Sequence, residues 1–277
     1  MRKTIRVATY NVLHSYNPAQ IATNIKQMAD SGVDVFALQE VLKDEGKEFI
    51  LDVILKKLGE TWKAEYSLIP VYSWRTWGTA ILYNSKKIKL LEARKIDMKK
   101  MDRLSILNSV LSRVIMGGKG KVYPRTFINA KLSFDAHVFY FSSIHPEFFS
   151  DTAWRLRELY NFLNKKIKTK EDDAEIIAGD FNTVDLLNTH LERKLIQKVL
   201  GNGYTEASAA IPWSVDIMNV SEKFATPMFL LLKKFLFFHV YRKFDYIWIK
   251  NLKLVEARSL KLPGSDHLPI IAELEFK

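Results

Sequence analysis

Several polar side chains fall where apolar runs stop or start. Asn11, Glu40, His145 and Asp180 close such runs, and Asn182 follows Asp180 by two positions. Arg125, Asp245, Asp266 and His267 stand at or just before the start of others. Hard divalent cations prefer oxygen ligands, and Mg²⁺ usually takes one or two carboxylates and keeps several waters. Glu40 and Asp266 could supply these, with Asn11 close by. Such a metal polarises a phosphate oxygen and stabilises a leaving oxygen. His267 beside Asp245 would be an oriented imidazole, because a carboxylate fixes tautomer and ring direction. Asp180 could activate or position a water. Asn182, His145 and Arg125 are donors suited to an anionic phosphate.

Taken singly, each residue has a simpler account. Asp and Asn turn and cap the backbone after strands, and a lone histidine at a strand end is commonly structural. Only convergence would make a site, and convergence depends on the elements and their directions. "TIRVATYNV" reads as a strand ending near Asn11. "PAQIATNIKQMADS" places Ile21, Ile25 and Met28 on one helical face and closes at Gly32. "VDVFALQE" reads as a buried strand ending at Glu40. "KEFILDVILKKLG" is an amphipathic helix stopped by Gly59.

Five strands without intervening helices follow: "KAEYSLI", "GTAILYN", "KIKLLEARKI", "RTFINAKLSF" and "HVFYFSSIH". This pattern predicts antiparallel hairpins. "TAWRLRELYNFLNKKI" and "THLERKLIQKVLG" are helices flanking the strand "EIIAGDF". "KFDYIWIKN" and "HLPIIAELEF" close the chain as strands. If the hairpins alternate in direction, Arg125 and His145 share one rim. If the last two strands enter from that rim, Asp245 and His267 join them.

The bulk properties narrow the chemistry. The chain has 277 residues and no cysteine, which excludes disulfides, thiolate metal sites and cysteine nucleophiles. No HExxH, P-loop or GxSxG pattern occurs, so a His-rich zinc site, ATP-dependent phosphoryl transfer and a serine nucleophile elbow are disfavoured. No nucleotide cofactor is expected. The net charge of +11 favours polyanionic partners, nucleic acid first and anionic lipid second. "MRKTIRVATYNV" lacks the apolar core of a signal peptide. No stretch approaches the ~18 uncharged apolar residues of a membrane span. A cytoplasmic protein is the expectation, with peripheral membrane contact as the variant. No Gly/Ser/Pro-rich linker divides the chain, so residues 1–277 read as one domain.

The spacing of these motifs resembles the endonuclease/exonuclease/phosphatase superfamily, the DNase I-like metal-dependent phosphoesterases. The resemblance rests on "ATYNV", "VFALQEV", "GTAILYN" with Gly78, "SSIHPE", "IIAGDFNT", "FDYIWI" and "GSDHLPI" with Ser265, in the family's order from residue 5 to 275. It implies an α/β (α+β) fold: a four-layer α/β/β/α sandwich of two mixed, largely antiparallel sheets. It also implies phosphoester hydrolysis with Mg²⁺, or Mn²⁺ in its place. By resemblance, Glu40 is the principal metal ligand, with Asn11 and Asp266 serving the metal directly or through water. Asp180 and Asn182 position the nucleophilic water and the phosphate, and Asp245 partners the catalytic His267. His145-Pro146 resembles the branches in which a second histidine contacts the phosphate, and sets the chain apart from abasic-site endonucleases.

Two insertions face the expected rim, at about 97–124 and 205–243. The first carries "RLSILNSVLSRVIMGGKGK", read as an amphipathic helix with Arg103, Arg113, Lys119 and Lys121. The second carries the apolar segment 227–241, with Phe235, Phe237, Phe238 and Tyr241. These segments pack into the fold, dip into a lipid interface, or line a groove for single-stranded nucleic acid. Trp74 and Trp77 are open to the last two readings. The expected activity is a metal-dependent phosphodiesterase acting on nucleic acid. A membrane phosphoesterase and a silent binding protein are the alternatives.

Overall fold

The computed structural model describes residues 4–13, 16–102, 109, 122–183, 191–216 and 241–277. Two six-stranded sheets form its centre. The first sheet has strands in the order β13-β14-β1-β2-β4-β3: β1 (Thr4–Asn11), β2 (Val35–Asp44), β3 (Trp62–Tyr72), β4 (Arg75–Asn84), β13 (Leu252–Ser259) and β14 (Ile270–Phe276). The second runs β5-β6-β7-β8-β12-β9: β5 (Ile88–Asp97), β6 (Thr126–Phe134), β7 (His137–Ile144), β8 (Ala174–Asp180), β9 (Tyr204–Glu206) and β12 (Asp245–Lys250). The short strands β10 (Val215–Asp216) and β11 (Tyr241–Arg242) pair apart from both.

Each sheet has one parallel pair at its centre, and each pair is joined through a helix. Helix α1 (Pro18–Asp30) joins β1 to β2, and α3 (Thr152–Lys165) joins β7 to β8. Parallel neighbours require such crossovers, which return the chain to the same edge. Both pairs therefore end, at Asn11, Gln39, Ile144 and Gly179, on edges that carry the candidate residues.

Three apolar clusters define four layers. Ile5, Val7, Ile81, Phe139, Phe141 and Ile247 pack between the sheets. Ile21, Ile25 and Met28 of α1, with Ile50 and Ile54 of α2 (Ile50–Leu58), cover the outer face of the first sheet at Phe36 and Leu38. Leu159 and Phe162 of α3, with Ile196 of α4 (Leu191–Leu200), cover the second sheet at Phe127, Ile177 and Trp248. The architecture is the expected α/β/β/α sandwich.

Helix ends follow local chemistry. Asn17 accepts the Gln20 N–H at 3.2 Å and Pro18 opens α1, where its missing N–H costs nothing. Asp151 caps α3 by accepting the Trp154 N–H at 2.7 Å.

The structure corrects several element boundaries. β2 does not end at Glu40 but runs to Asp44. Leu38 faces Ala80 and Val41 faces Gly78, so Gln39 and Glu40 together oppose Thr79 in a bulge. Glu40 has φ 58, and the bulge re-aims its side chain without ending the strand. β4 and β5 are consecutive but lie in different sheets, so they form no hairpin. β13 was not anticipated. It is an edge strand with most side chains exposed, so burial leaves little pattern in its sequence. The helix predicted after "EIIAGDF" is described from Leu191 onward. The predicted helix over 103–121, apart from residue 109, and the apolar run 227–240 lie outside the described residues. Among the described residues no helix is long and apolar enough to cross a membrane.

Candidate active site

One carboxylate oxygen collects the predicted residues. Asp180 Oδ2 accepts a hydrogen bond from Asn11 Nδ2 at 2.9 Å. His145 Nε2 lies 3.5 Å from the same oxygen, and His267 Nε2 lies 3.7 Å from it. These residues come from β1, β8, the end of β7 and the loop before β14. Asp180, Asn11, His145 and His267 are all buried.

The backbone brings them there by specific means. β8 lies parallel to β7, and Gly179 faces Ile144 so closely that a Cβ would stand 2.0 Å from the Ile144 carbonyl oxygen. Glycine is required by that approach. Asp180 Oδ1 accepts the Asn182 N–H at 2.8 Å, and Asn182 has φ 52. The turn chemistry expected of an Asp-x-Asn stretch is therefore present and occupies one oxygen, leaving Oδ2 to the site. Asn182 Nδ2 donates to the Pro146 carbonyl at 2.8 Å, tying the turn to the residue after His145.

β12 runs antiparallel to β8 and sets Asp245 opposite Asp180. His267 Nδ1 and Asp245 Oδ2 are 2.8 Å apart. Asp245 Oδ1 is buried and has no hydrogen-bond partner among the described residues. Burial alone would pull the His267 pKa down. The carboxylates of Asp245 and Asp180 outweigh that, and its pKa stands well above 6.5. Burial raises Asp180 to about 7, with His267 and Asn11 acting against the rise.

Arg125 and Glu40 complete the neighbourhood. His145 Nε2 lies 3.8 Å from Glu40 Oε1. Arg125 is buried beneath Trp77, its guanidinium carbon 4.5 Å from the ring centroid, and faces Glu147 and His145. Asp266 acts electrostatically on both His267 and Tyr10, whose pKa burial raises to about 12.

Some supporting residues carried no signal in the sequence. Ser214 Oγ accepts the N–H groups of both Phe244 and Asp245 at 3.0 Å, while its carbonyl accepts the Leu268 N–H at 2.7 Å. One serine thus sets Asp245 and the His267 loop together. Beneath the site, Gln39 Nε2 donates to Ser143 Oγ at 3.1 Å, and that hydroxyl donates to the Leu38 carbonyl at 2.9 Å. This seam joins the two sheets directly under the rim. Ser265 did lie in a recognisable motif: its hydroxyl donates to the Asn11 carbonyl at 2.7 Å and accepts the His267 N–H at 3.1 Å.

A buried sandwich with this rim matches a known class. The profile of the Endonuclease/Exonuclease/phosphatase family matches residues 8–267. The chain belongs to that family. No curated protein matches it by sequence. Among solved structures, an endonuclease/exonuclease/phosphatase family protein from Leptotrichia buccalis is 16% identical, with a TM-score of 0.68 over 98% of this chain and 100% of its own. D. rerio TDP2 complexed with a single-strand DNA product is 16% identical, with a TM-score of 0.64 over 98% of this chain and 99% of its own. The human Nocturnin catalytic domain with bound sulfate is 16% identical, with a TM-score of 0.58 over 100% of this chain and 96% of its own.

Proposed function

We propose that this chain, as one catalytic domain, hydrolyses a phosphodiester in nucleic acid with the aid of a divalent cation. The observation that carries the reading is the meeting of Asn11, His145 and His267 on a single oxygen of Asp180. An Asx turn needs no histidine pair and no asparagine from another sheet. Membership of the family supports a hydrolase acting on phosphoester bonds. The TDP2 neighbour complexed with single-strand DNA product and the net charge of +11 favour nucleic acid as the substrate.

The donor set suits a hard cation. The site is rich in carboxylate oxygen, the chain has no thiol, and Asp245 keeps one buried oxygen without a hydrogen-bond partner among the described residues. Asp180, Asp245 and His267 offer ligand atoms within 4.8 Å of one another. Asp245 Oδ2 and His267 Nδ1 already engage each other, however, which suits that pair to an orienting role and leaves Glu40 and Asp266 with Asn11 as the residues that would hold Mg²⁺. When bound, such a cation would offset phosphate charge and stabilise the leaving oxygen.

The remaining steps belong to the chain's own groups. Asp180, with a pKa of about 7, is matched to take a proton from an attacking water near neutral pH. His267 is held by Asp245 with its other nitrogen toward Asp180, and its raised pKa keeps it a donor to a phosphoryl oxygen. His145 and Asn182 border the same oxygen cluster and would orient the phosphate. The water oxygen bonds to phosphorus as its proton passes to Asp180, the ester bond breaks, and the leaving oxygen takes up a proton from solvent.

The test is a substrate panel with Mg²⁺ and with EDTA, comprising single- and double-stranded DNA, RNA, bis(p-nitrophenyl) phosphate and phospholipid vesicles. Metal-dependent cleavage of nucleic acid that disappears in His267→Ala is the expected result. Turnover of vesicles alone would replace the substrate assignment. No turnover of any phosphoester by folded, metal-loaded protein would overturn the reading.

A further inference from the structure

Arg125 and His145 form a pair whose hydrogen-bond direction is decided by chemistry. Both are buried, at 7% and 5% exposure. Arg125 Nη1 lies 3.3 Å from His145 Nδ1. A guanidinium has only donors and stays charged in proteins. The bond therefore runs one way: Nη1–H donates and the Nδ1 lone pair accepts. Nδ1 then carries no proton, and the ring proton sits on Nε2. That nitrogen faces the site, 3.5 Å from Asp180 Oδ2 and 3.8 Å from Glu40 Oε1.

The guanidinium is itself fixed. Its Nε and Nη2 reach Glu147 Oε2 at 3.1 and 3.0 Å. Its face is covered by Trp77, which also meets the His145 ring at 67° with centroids 6.2 Å apart. Glu147 is held in turn, since its backbone N–H donates to Glu158 Oε2 at 2.9 Å and its Oε1 accepts the Phe149 N–H at 3.3 Å. Nε, Nη1 and Nη2 are each engaged on the protein. These contacts support a role for Arg125 toward His145, beside the phosphate contact expected from the sequence.

We propose that Arg125 is a positioning residue that fixes His145 in the tautomer protonated on Nε2, so that His145 enters the site as a hydrogen-bond donor. His267 is built the other way round. Its Nδ1 faces the Asp245 carboxylate, which can only accept, so Nδ1 carries a proton in every state and the outward Nε2 carries one only when the ring is an imidazolium. The two histidines flank Asp180 with opposite assignments, and they are not interchangeable. The proposal rests on the phosphodiesterase reading only for what the His145 proton would meet, a non-bridging phosphoryl oxygen.

The tautomer is observable without any turnover. In ¹⁵N-labelled protein, with Mg²⁺ and with EDTA, NMR distinguishes a ring nitrogen that bears a proton from one that does not. The His145→Gln spectrum identifies the His145 signals. The expected result is a protonated Nε2 and a bare Nδ1 in the wild type. A proton on Nδ1 would overturn the proposal, and this measurement needs no Arg125 variant to fold.

Arg125→Ala tests the cause. The His145 ring should lose its fixed tautomer, and kcat on bis(p-nitrophenyl) phosphate should fall roughly 10- to 100-fold, the size seen when the group orienting a histidine is removed. Methylguanidinium should restore both. An unchanged tautomer in Arg125→Ala would overturn the assignment to Arg125. If that variant does not fold, Glu147→Gln, which loosens the same guanidinium, takes its place with the same two readouts. If the wild type shows the expected tautomer but hydrolyses no phosphoester, the positioning inference stands and the functional reading fails.

Discussion

Asp245 lies directly across the β8–β12 pair from Asp180, two buried carboxylates in cross-strand register. Like charges so placed repel. The fold resolves this by giving Asp245 the imidazole of His267 at 2.8 Å and leaving Asp180 with its pKa raised to about 7. The arrangement separates the roles of the two acids. One is bound to an orienting task, and the other is free to exchange a proton near neutral pH.

That separation predicts the behaviour of Asp180→Asn. The amide keeps the shape and can still accept the Asn182 N–H, but it cannot take a proton from water. Turnover should fall by about 10²- to 10⁴-fold, the range for a lost general base. Thermal stability should equal or exceed that of the wild type in EDTA, because an amide avoids the cost of burying a carboxylate. Parallel kcat and melting measurements check this. Wild-type turnover in Asp180→Asn would remove it from the mechanism.

Asp245 and His267 should act as one unit. Asp245→Asn and His267→Ala should each lower kcat strongly. The double variant should be no slower than His267→Ala alone, since groups that work together lose their effect together. A multiplicative loss in the double variant would mean that Asp245 serves the reaction independently of the imidazole.

Much of this was readable from residue order, because the site is assembled from strand ends. Asn11, His145, Asp180, Asp245 and His267 each adjoin an apolar strand, and the strand directions inferred from hairpin alternation put them on one rim. The hairpin pairing was wrong in one detail without harm to that inference, since β4 and β5 lie in different sheets and still reverse direction. What could not be read were contacts made by bends and by distant neighbours. The bulge at Glu40 depends on which residues of β4 face it, and nothing in "VFALQEV" marks it. The role of Ser214 depends on a hydroxyl meeting two backbone N–H groups some thirty residues away. Arg125 was recognisable as a cation on the rim, but its engagement by Glu147, Trp77 and His145 is a matter of packing.

Gly179 offers a test of the backbone that carries the site. In Gly179→Ala the new Cβ would meet the Ile144 carbonyl oxygen at 2.0 Å, and its nearest neighbours are all Ile144 backbone atoms, which leaves little room to relax. The expected loss is at least about 3 kcal/mol, at the severe end for overpacking. Gly203→Ala is the control, because its Cβ would come no nearer than 3.5 Å, to the flexible Lys250 side chain. That change should stay within about 0.5 kcal/mol. Urea denaturation of both variants decides the matter. Equal stabilities would show that β7 and β8 can separate without cost.

The buried Glu158 makes stability depend on pH in a direction that can be worked out. Burial raises its pKa from 4.5 to about 7, against the backbone N–H of Glu147 and the charge of Arg125, which lower it. Between these values the folded chain binds a proton that the unfolded chain has released. The contribution of this group is therefore full below about 4.5 and is lost as pH rises through about 7. At 1.36 kcal/mol per unit the loss is at most about 3 kcal/mol. Glu158→Gln removes the proton exchange and keeps an oxygen for the Glu147 N–H. Its stability relative to wild type should rise between pH 5 and pH 8 by a sizeable part of that amount. Urea titrations at the two pH values read the difference directly. An unchanged difference would mean that Glu158 ionises in the folded protein much as it does in the open chain, and that the support beneath Glu147 is wetter than the packing around α3 implies.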